Sequence, residues 1–354
     1  YFLDRFGEEA TQALVAEPAN GMLSIDKVLA SLVATDGLTG EVVGADDVFA
    51  DWVVASFLQD DDVADGRFTY RNYPAAPNPD VTEAIEKCPA QPGQRDVSQY
   101  GVDYVSLECR GDYILRFQGA QQVGVLPAEP HSGAYVFYSN QGDESDMTLT
   151  RTFDFTSHSG ALTLTYWTWY DLEKDYDYLY LTASLDGENW QILTTPAGTA
   201  SDPVGNSFGW GYSGLSGDGP AWIQEQVDLS QFAGKQVQIR FEYVTDTAVT
   251  SEGFLLDDVS IPEVGYFSDF EQDDGGWITK GFVNIENSIP QTFLVSIFSI
   301  EGGAPLQKFQ LASGEELGLL LPPLSSSDRY VIAISGSSRY TRQEASYQFI
   351  IKQN

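Results

Sequence analysis

Asn140, Asp143 and Asp146 lie in a glycine-containing loop just ahead of a run with strand character. Such a loop can turn several oxygens toward one point. Asp257 and Asp258 follow the apolar run 254–256, near the end of the same β-rich stretch. A hard cation such as Ca²⁺ collects roughly six to eight oxygens from carboxylates, amides and backbone carbonyls. The five residues make one candidate calcium set if their two segments are neighbouring strands of one sandwich. The competing reading is that they are solvated loop acids, which are common at this charge.

Asp171, Glu173, Asp175 and Asp177 alternate around Lys174. In an extended segment that spacing puts all four carboxylates on one face, where they repel unless a cation compensates. Asp171, Glu173 and Asp177 are therefore a second candidate calcium set, against a solvated hairpin end. Asp60, Asp61 and Asp62 follow an apolar helical stripe, and their spacing matches no EF-hand loop. They read as a solvated loop.

Other chemistries find little support. The two histidines, His131 and His158, fall in separate β or loop segments, and no HExxH stands anywhere in the chain. That motif sets two imidazoles one helical turn apart on zinc with the glutamate as base. No glycine loop opens a helix as a phosphate cradle must; Gly209, Gly211 and Gly214 lie between strands. Cys88 and Cys109 sit in a stretch rich in Pro, Gly and Gln. An even count in a loop-rich setting agrees with a disulfide in an oxidising compartment, with two free buried thiols as the alternative. Trp167, Trp169, Trp190, Trp210, Tyr212 and Trp222 invite a sugar-stacking reading against that of plain β-core. Trp210 and Tyr212, in the glycine-rich segment 208–214, are the ligand-binding candidates.

The chain has 354 residues, 52 acidic against 18 basic, for a formal net charge of -34. Such a surface repels phosphate backbones, so nucleic acid is excluded as a partner. No apolar run is long enough to span a bilayer. There is no initiator Met and no signal peptide, so the chain reads as a segment of a longer precursor.

The elements that must position these residues follow from periodicity. Residues 1–73 read as helical. Gly7 can end a short helix over 1–6 in a left-handed cap, residues 8–16 continue as helix until Pro18 stops them, Ser24 is a candidate N-cap, and Asp46 or Asp47 caps a stripe of Val48, Phe49, Trp52, Val53 and Phe57. Residues 74–132 begin as a linker at Pro74, Pro77 and Pro79 and continue as short strands. In 133–265, Leu162, Leu164 and Tyr166 alternate with threonines, and Val237, Ile239, Phe241 and Tyr243 alternate with polar residues. Asp186-Gly187 marks a hairpin. Residues 266–354 read as a second small sandwich punctuated by Pro290, Gly302-Gly303, Pro322-Pro323 and the serines 325–327. The expected fold is mainly β with a small N-terminal α-helical part: a jelly-roll or β-sandwich domain followed by a second small β-sandwich.

Several segments together resemble the region downstream of the zinc site in immune inhibitor A-like, M6-type metallopeptidases. Residues 1–7 (YFLDRFG) and 49–52 (FADW) are similar to late helices of the peptidase domain. Residues 139–143 (SNQGD), 147–151 (MTLTR), 169–173 (WYDLE), 184–190 (SLDGENW) and 253–258 (GFLLDD) are similar to its jelly-roll module, and 345–349 (ASYQF) to its C-terminal module. The resemblance implies an extracellular or cell-surface protein with Ca²⁺ in the jelly roll. Zn²⁺ would be held only upstream of this chain, and the partner would be the protein's own upstream peptidase domain. The expected role is non-catalytic, supporting or targeting that peptidase. The alternatives are an adhesion or structural protein of peptidase-derived architecture, meeting a cell-surface protein or glycan, and a carbohydrate-binding module.

Overall fold

The computed structural model describes residues 1–73, 75–300, 306–322 and 329–354. Pro74, Gly302-Gly303, Pro323 and the serines 325–327, read above as linker or turn residues, lie outside the described residues. The fold is mainly β, as the alternation implies, with three helices at the start of the chain.

The chain divides into two compact units, residues 126–287 and a discontinuous unit of residues 1–125 with 288–354. This differs from the consecutive boundaries drawn from sequence. The jelly roll runs past 265 because Ile278–Lys280 and Val283–Glu286 each add a strand to one of its sheets. The stretch after Pro79 is not merely a linker: its strands enter sheets with C-terminal strands far away in sequence.

In the 126–287 unit, most successive strands switch between two sheets. One sheet runs Gln191–Ile192, Tyr178–Ser184, Gln236–Val244, Asp146–Asp154, Ile278–Lys280; the other runs Ile223–Asp228, Thr163–Asp171, Gly253–Ile261, Tyr135–Tyr138, Val283–Glu286. Each strand presents alternate residues inward. Leu164 and Tyr166 from one sheet meet Leu179, Ile239 and Phe241 from the other, all at most 0% exposed. The Tyr166 and Phe241 rings pack edge to face at 5.1 Å. The Asp186-Gly187 hairpin forms as expected. Gly187 sits at φ 78, and Asp186 accepts the N–H groups of Glu188 and Asn189 at 2.9 and 2.8 Å.

In the other unit, two sheets share a core. One contains Asp103–Leu107, Tyr330–Gly336 and Phe293–Ser299; the other contains Tyr113–Gly119 and Ala345–Gln353. A disulfide joins Cys88 to Cys109, with Cα atoms 5.6 Å apart. The helices pack within this unit. The third, Ala45–Leu58, lays Phe49, Val53 and Val54 on Tyr104, Leu294, Phe298 and Val331 of the first sheet. Its residue Trp52 remains 41% exposed, outside the buried stripe expected for it.

Helix ends refine the sequence reading. The first helix, Phe2–Ala16, is broken at Gly7, whose φ of 83 and ψ of -178 only glycine adopts without strain. The second, Met22–Ser31, starts after Gly21, so Ser24 lies inside it and is not the cap. At the third, Asp47 accepts the Gly44 N–H at 2.9 Å, and Asp26 accepts that of Ala45 at 2.7 Å. Arg67, 7% exposed, ties this region together through Asp36, Asp51 and Asp65.

Candidate functional site

Leaving the Thr163–Asp171 strand, the chain curls instead of staying extended. The N–H groups of Tyr176 and Asp177 both donate to the Glu173 carbonyl, at 3.3 and 3.0 Å, and Asp175 takes φ 70. The curl breaks the alternation that would have put four acids on one face, and it brings Glu173 back over Asp177. Asp177 heads the Tyr178–Ser184 strand. That strand pairs antiparallel with Gln236–Val244, Tyr178 opposite Val244, so the register sets Asp246 beside Asp177. The Asp177 carboxylate accepts the Asp246 N–H at 2.9 Å and the Tyr243 hydroxyl at 3.2 Å. Carboxylate oxygens of Glu173, Asp177 and Asp246 all lie within 4.8 Å of one another.

Among the described residues, no lysine or arginine forms an ion pair with these three acids. Asp177 is 1% exposed, and burial pushes its carboxyl up to about 6 against the pull of its two hydrogen bonds, with the charges of Glu173 and Asp246 adding to the rise. Burial raises Glu173 too, followed by the charges of Asp246 and Asp143. Glu173 Oε2 is buried with no hydrogen-bond partner. An acceptor withdrawn from water and left unpaired is costly, and a proton or cation is what such a group lacks. Three carboxylates would supply part of the roughly six to eight oxygens of a Ca²⁺ shell. The donor set fits a hard cation.

Sequence reasoning found Glu173 and Asp177 but missed Asp246. Its position shows only once the strand register is known, because nothing in the sequence around Thr245-Asp246-Thr247 distinguishes it from a solvated turn. Asp171 stays at the strand end, where it bridges Leu215.

The first candidate set does not assemble. Tyr138 pairs with Leu255, which places Asn140 beside Gly253: a Cβ there would meet the Asn140 carbonyl oxygen at 3.0 Å. Asp257 is four residues farther along the same strand, about 13 Å away at ~3.3 Å per residue. Asn140 donates its amide to the Gly281 carbonyl. Asp146 is exposed at the head of its strand. Asp143 accepts the Thr250 hydroxyl at 2.6 Å, and its charge reaches Glu173, so it borders the second set.

Asp257 and Asp258 serve another place. The register shifts between Asp257 and Ser260, and Asp258 adopts φ 48. This bulge turns both consecutive carboxylates to residues 131–132. Asp258 bonds His131 Nδ1 at 2.6 Å and the Ser132 hydroxyl at 2.8 Å, while Asp257 accepts the Ser132 N–H at 3.1 Å. The His131 ring stacks on Trp167 at 3.9 Å. His158 bonds the Ala161 carbonyl at 3.0 Å. The two imidazoles thus have separate local partners, and the residues present do not fit a zinc centre.

Tyr212 is 0% exposed, a correction to its reading as a surface ligand contact. A bridge to Leu179 makes it strand-like and points it inward. Its hydroxyl meets Glu225 at 3.0 Å and the Tyr166 hydroxyl at 2.6 Å. Trp210 is half-buried, with its indole N–H on the Thr195 carbonyl at 2.9 Å. The exposed ring of this segment is Phe208, 73% exposed. Among the described residues, no helix is long and apolar enough to cross a membrane.

Residues 114–287 match the family model described as Immune inhibitor A-like, MAM domain. The chain is 33% identical over 138 residues to the Pre-pro-metalloprotease PrtV of Vibrio cholerae, covering 39% of this chain and 14% of that protein. It is 32% identical over 163 residues to Immune inhibitor A of Bacillus thuringiensis subsp. alesti, covering 45% and 22%. To Bacillopeptidase F of Bacillus subtilis it is 29% identical over 125 residues, covering 35% and 7%. The matches span well under two thirds of the length of these relatives. The family-model match contains the sandwich that holds Glu173, Asp177 and Asp246. Residues 114–287 thus match an immune inhibitor A-like MAM domain, and the chain is similar in part to Immune inhibitor A.

Proposed function

We propose that this chain is the non-catalytic, calcium-stabilised accessory region of an extracellular zinc metallopeptidase-like protein, and that it supports or targets a peptidase domain encoded elsewhere in the same polypeptide. The observation that carries this is a pairing: residues 114–287 match the MAM family of such proteins, while the sequence holds no HExxH. The zinc of such a peptidase activates water for peptide hydrolysis. The groups here do other work.

Glu173 lies between a strand of one sheet and a strand of the other, and Asp246 lies two residues past the end of a third. A Ca²⁺ held by Glu173, Asp177 and Asp246 would clamp the crossover between the sheets and relieve the repulsion among these acids. In the helical segment, Leu3, Val15, Val33, Leu38, Val42 and Trp52 are exposed, between 40% and 84%. Apolar side chains exposed in such number favour packing against further protein, and the peptidase domain is the partner proposed. The disulfide and the acidic surface support an extracellular or cell-surface location.

A second reading, carbohydrate binding, rests on the exposed Phe208 ring and its neighbour Tyr180 at 5.8 Å. Casein hydrolysis by the natural full-length protein, with and without residues 114–287, tests the accessory role. Zinc-chelator-sensitive hydrolysis is expected from the full-length protein and none from this chain alone. Cleavage by the purified chain, abolished by 1,10-phenanthroline, would overturn the reading.

A further inference from the structure

The strand Glu316–Leu320 ends the sheet formed with Tyr113–Gly119, Ala345–Gln353 and Arg95–Val97, and among the described residues no strand pairs with its other side. One contact fixes which way its backbone groups point. Leu321, just past its end, donates to the Tyr113 carbonyl at 2.9 Å, and the register continues with Leu319 opposite Leu115 and Leu317 opposite Phe117. In an antiparallel ladder the bonded positions alternate. Leu317, Leu319 and Leu321 therefore bond the neighbouring strand, and the N–H and C=O groups of Glu316, Gly318 and Leu320 point to the free edge.

The side chains alternate too. Leu317 is buried and Leu319 packs on the same core, whereas Glu316, Gly318 and Leu320 are exposed. A free edge pairs readily with another chain, and proteins blunt such edges by brevity, charge or proline. The other edges of this unit are blunted. Glu83–Ile85 and Arg95–Val97 are three residues long and carry charges, and Gln307–Leu311 carries Lys308, tied to Asp51. Residues 317–320 hold no charge and no proline.

Gly318 lies opposite Arg116, which lies opposite Ile350 on the next strand. Arg116 and Lys352 are exposed, and neither forms an ion pair among the described residues. Glu316, the acid of the edge strand, already accepts the Gln118 amide at 3.1 Å. Nothing lies within 4 Å of where a Gly318 Cβ would sit. An arginine side chain is longer than the ~4.8 Å between strands, so Arg116 can cross the bare glycine to a carboxylate on a strand added beyond it.

We propose that this edge is a strand-addition site for an extended peptide of a partner protein, with a core of apolar, acidic and apolar residues. In antiparallel register these three stand opposite Leu317, Gly318 and Leu319. The flanking apolar side chains extend the core past Leu317 and Leu319, and the acid faces Arg116. The peptide backbone takes up the free groups of Glu316, Gly318 and Leu320. A five-residue edge suits a short peptide rather than a second copy, which brings a net charge of -34 of its own.

Fluorescence anisotropy on the intact chain tests the site, with a fluorescein-labelled Thr-Val-Glu-Val-Thr peptide and the same peptide carrying Gln in place of Glu. Saturable binding is expected for the Glu peptide, and binding weaker by about two- to fivefold for the Gln peptide. Arg116→Gln should weaken the Glu peptide by the same factor and leave the Gln peptide unaffected, as a double-mutant cycle requires of a direct pair. Gly318→Pro removes the central edge donor while sparing the ladder to Tyr113–Gly119, and should abolish binding. Should that variant fold poorly, amide exchange on the natural chain decides. The peptide should protect Glu316, Gly318 and Leu320 and leave Leu317 and Leu319 unchanged. Absence of saturable binding up to about 1 mM would overturn the proposal, as would binding that leaves the three edge amides unprotected. Dimerisation that protects them without peptide would also overturn it, by giving the edge to a second copy.

Discussion

The backbone N–H of Asp246 donates to the carboxylate of Asp177 at 2.9 Å, across the antiparallel pairing of Tyr178–Ser184 with Gln236–Val244. One hydrogen bond thus joins two acids that the charge alone would drive apart. Glu173, with a buried and unpartnered oxygen, closes the group. If Ca²⁺ is the compensating charge, it binds the native state and not the unfolded chain. At a concentration about 100 times Kd it adds about 2.7 kcal/mol, and a domain of this size gains roughly 2–4 °C per kcal/mol. Calorimetry should show a higher Tm with Ca²⁺ than with EDTA. Asp177→Asn and Glu173→Gln should each remove most of that difference. Superimposable scans with and without Ca²⁺ would count against the site.

Without the cation, the same group sets a pH dependence. Asp177 is held at about 6, above the range of an unfolded aspartate, chiefly by burial. Its stabilising effect is therefore fully present below about 4 and is lost as the pH rises through about 6. Asp36 works in the opposite sense: its hydrogen bonds to Arg67 hold it well below the usual range, so its contribution is lost only as the pH falls below about 4. The windows do not overlap. In EDTA, Tm should decline between pH 4.5 and 6.5, and Ca²⁺ should reverse the decline, because the ion binds the ionised carboxylates. A Tm rising over this interval in EDTA would contradict the assignment.

How much was legible beforehand depends on whether local pattern or register decided the matter. The alternation of Leu162, Leu164 and Tyr166 and of Val237, Ile239, Phe241 and Tyr243 marks two strands correctly, because side-chain period is a local property. Glu173 and Asp177 are legible as an acidic pair. Asp246 is not, since only strand pairing brings it there. Asn140 and Asp257 form one set only if neighbouring strands bring their ends together, and the register puts them about 13 Å apart. Tyr212 reads as a loop residue because glycines surround it, yet its bridge to Leu179 buries it. The placement of the third helix on a sheet containing Leu294 and Val331 joins residues far apart in the chain, which no local signal reports.

Arg67 should be costly to replace. Its guanidinium bonds Asp65 at 2.6 and 2.7 Å and Asp36 at 3.0 Å, and lies 3.3 Å from Asp51, which is 2% exposed. Arg67→Met leaves Asp51 with Arg5 and Lys308 as its remaining cations. Breaking a buried ion network in this way costs about 3 kcal/mol. Arg67→Lys should recover less than half of the loss, since an ammonium cannot make the paired contacts of a planar guanidinium. Urea unfolding followed by Trp52 fluorescence, with the other tryptophans replaced by Phe, measures both. A loss below about 1 kcal/mol for Arg67→Met would show that the network contributes no more than a surface pair.

Tyr212 and Phe208, four residues apart, should respond oppositely to substitution. Tyr212→Phe removes the hydroxyl that donates to Glu225, a carboxyl 2% exposed and already raised by burial. The Glu225 oxygen then retains only the Ala197 N–H at 3.4 Å. Leaving a buried acceptor this poorly satisfied costs about 1–3 kcal/mol. Phe208→Ala trims an exposed ring, and the change should stay within ~0.5 kcal/mol. Denaturant titration gives both values. A glycan array gives the complementary readout: if the carbohydrate reading holds, Phe208→Ala abolishes glycan binding while stability is unchanged, and Tyr212→Phe lowers stability while binding by the folded fraction is retained. Equal binding by Phe208→Ala and the natural sequence would remove the exposed ring as a sugar platform and leave the accessory role as the account of this sandwich.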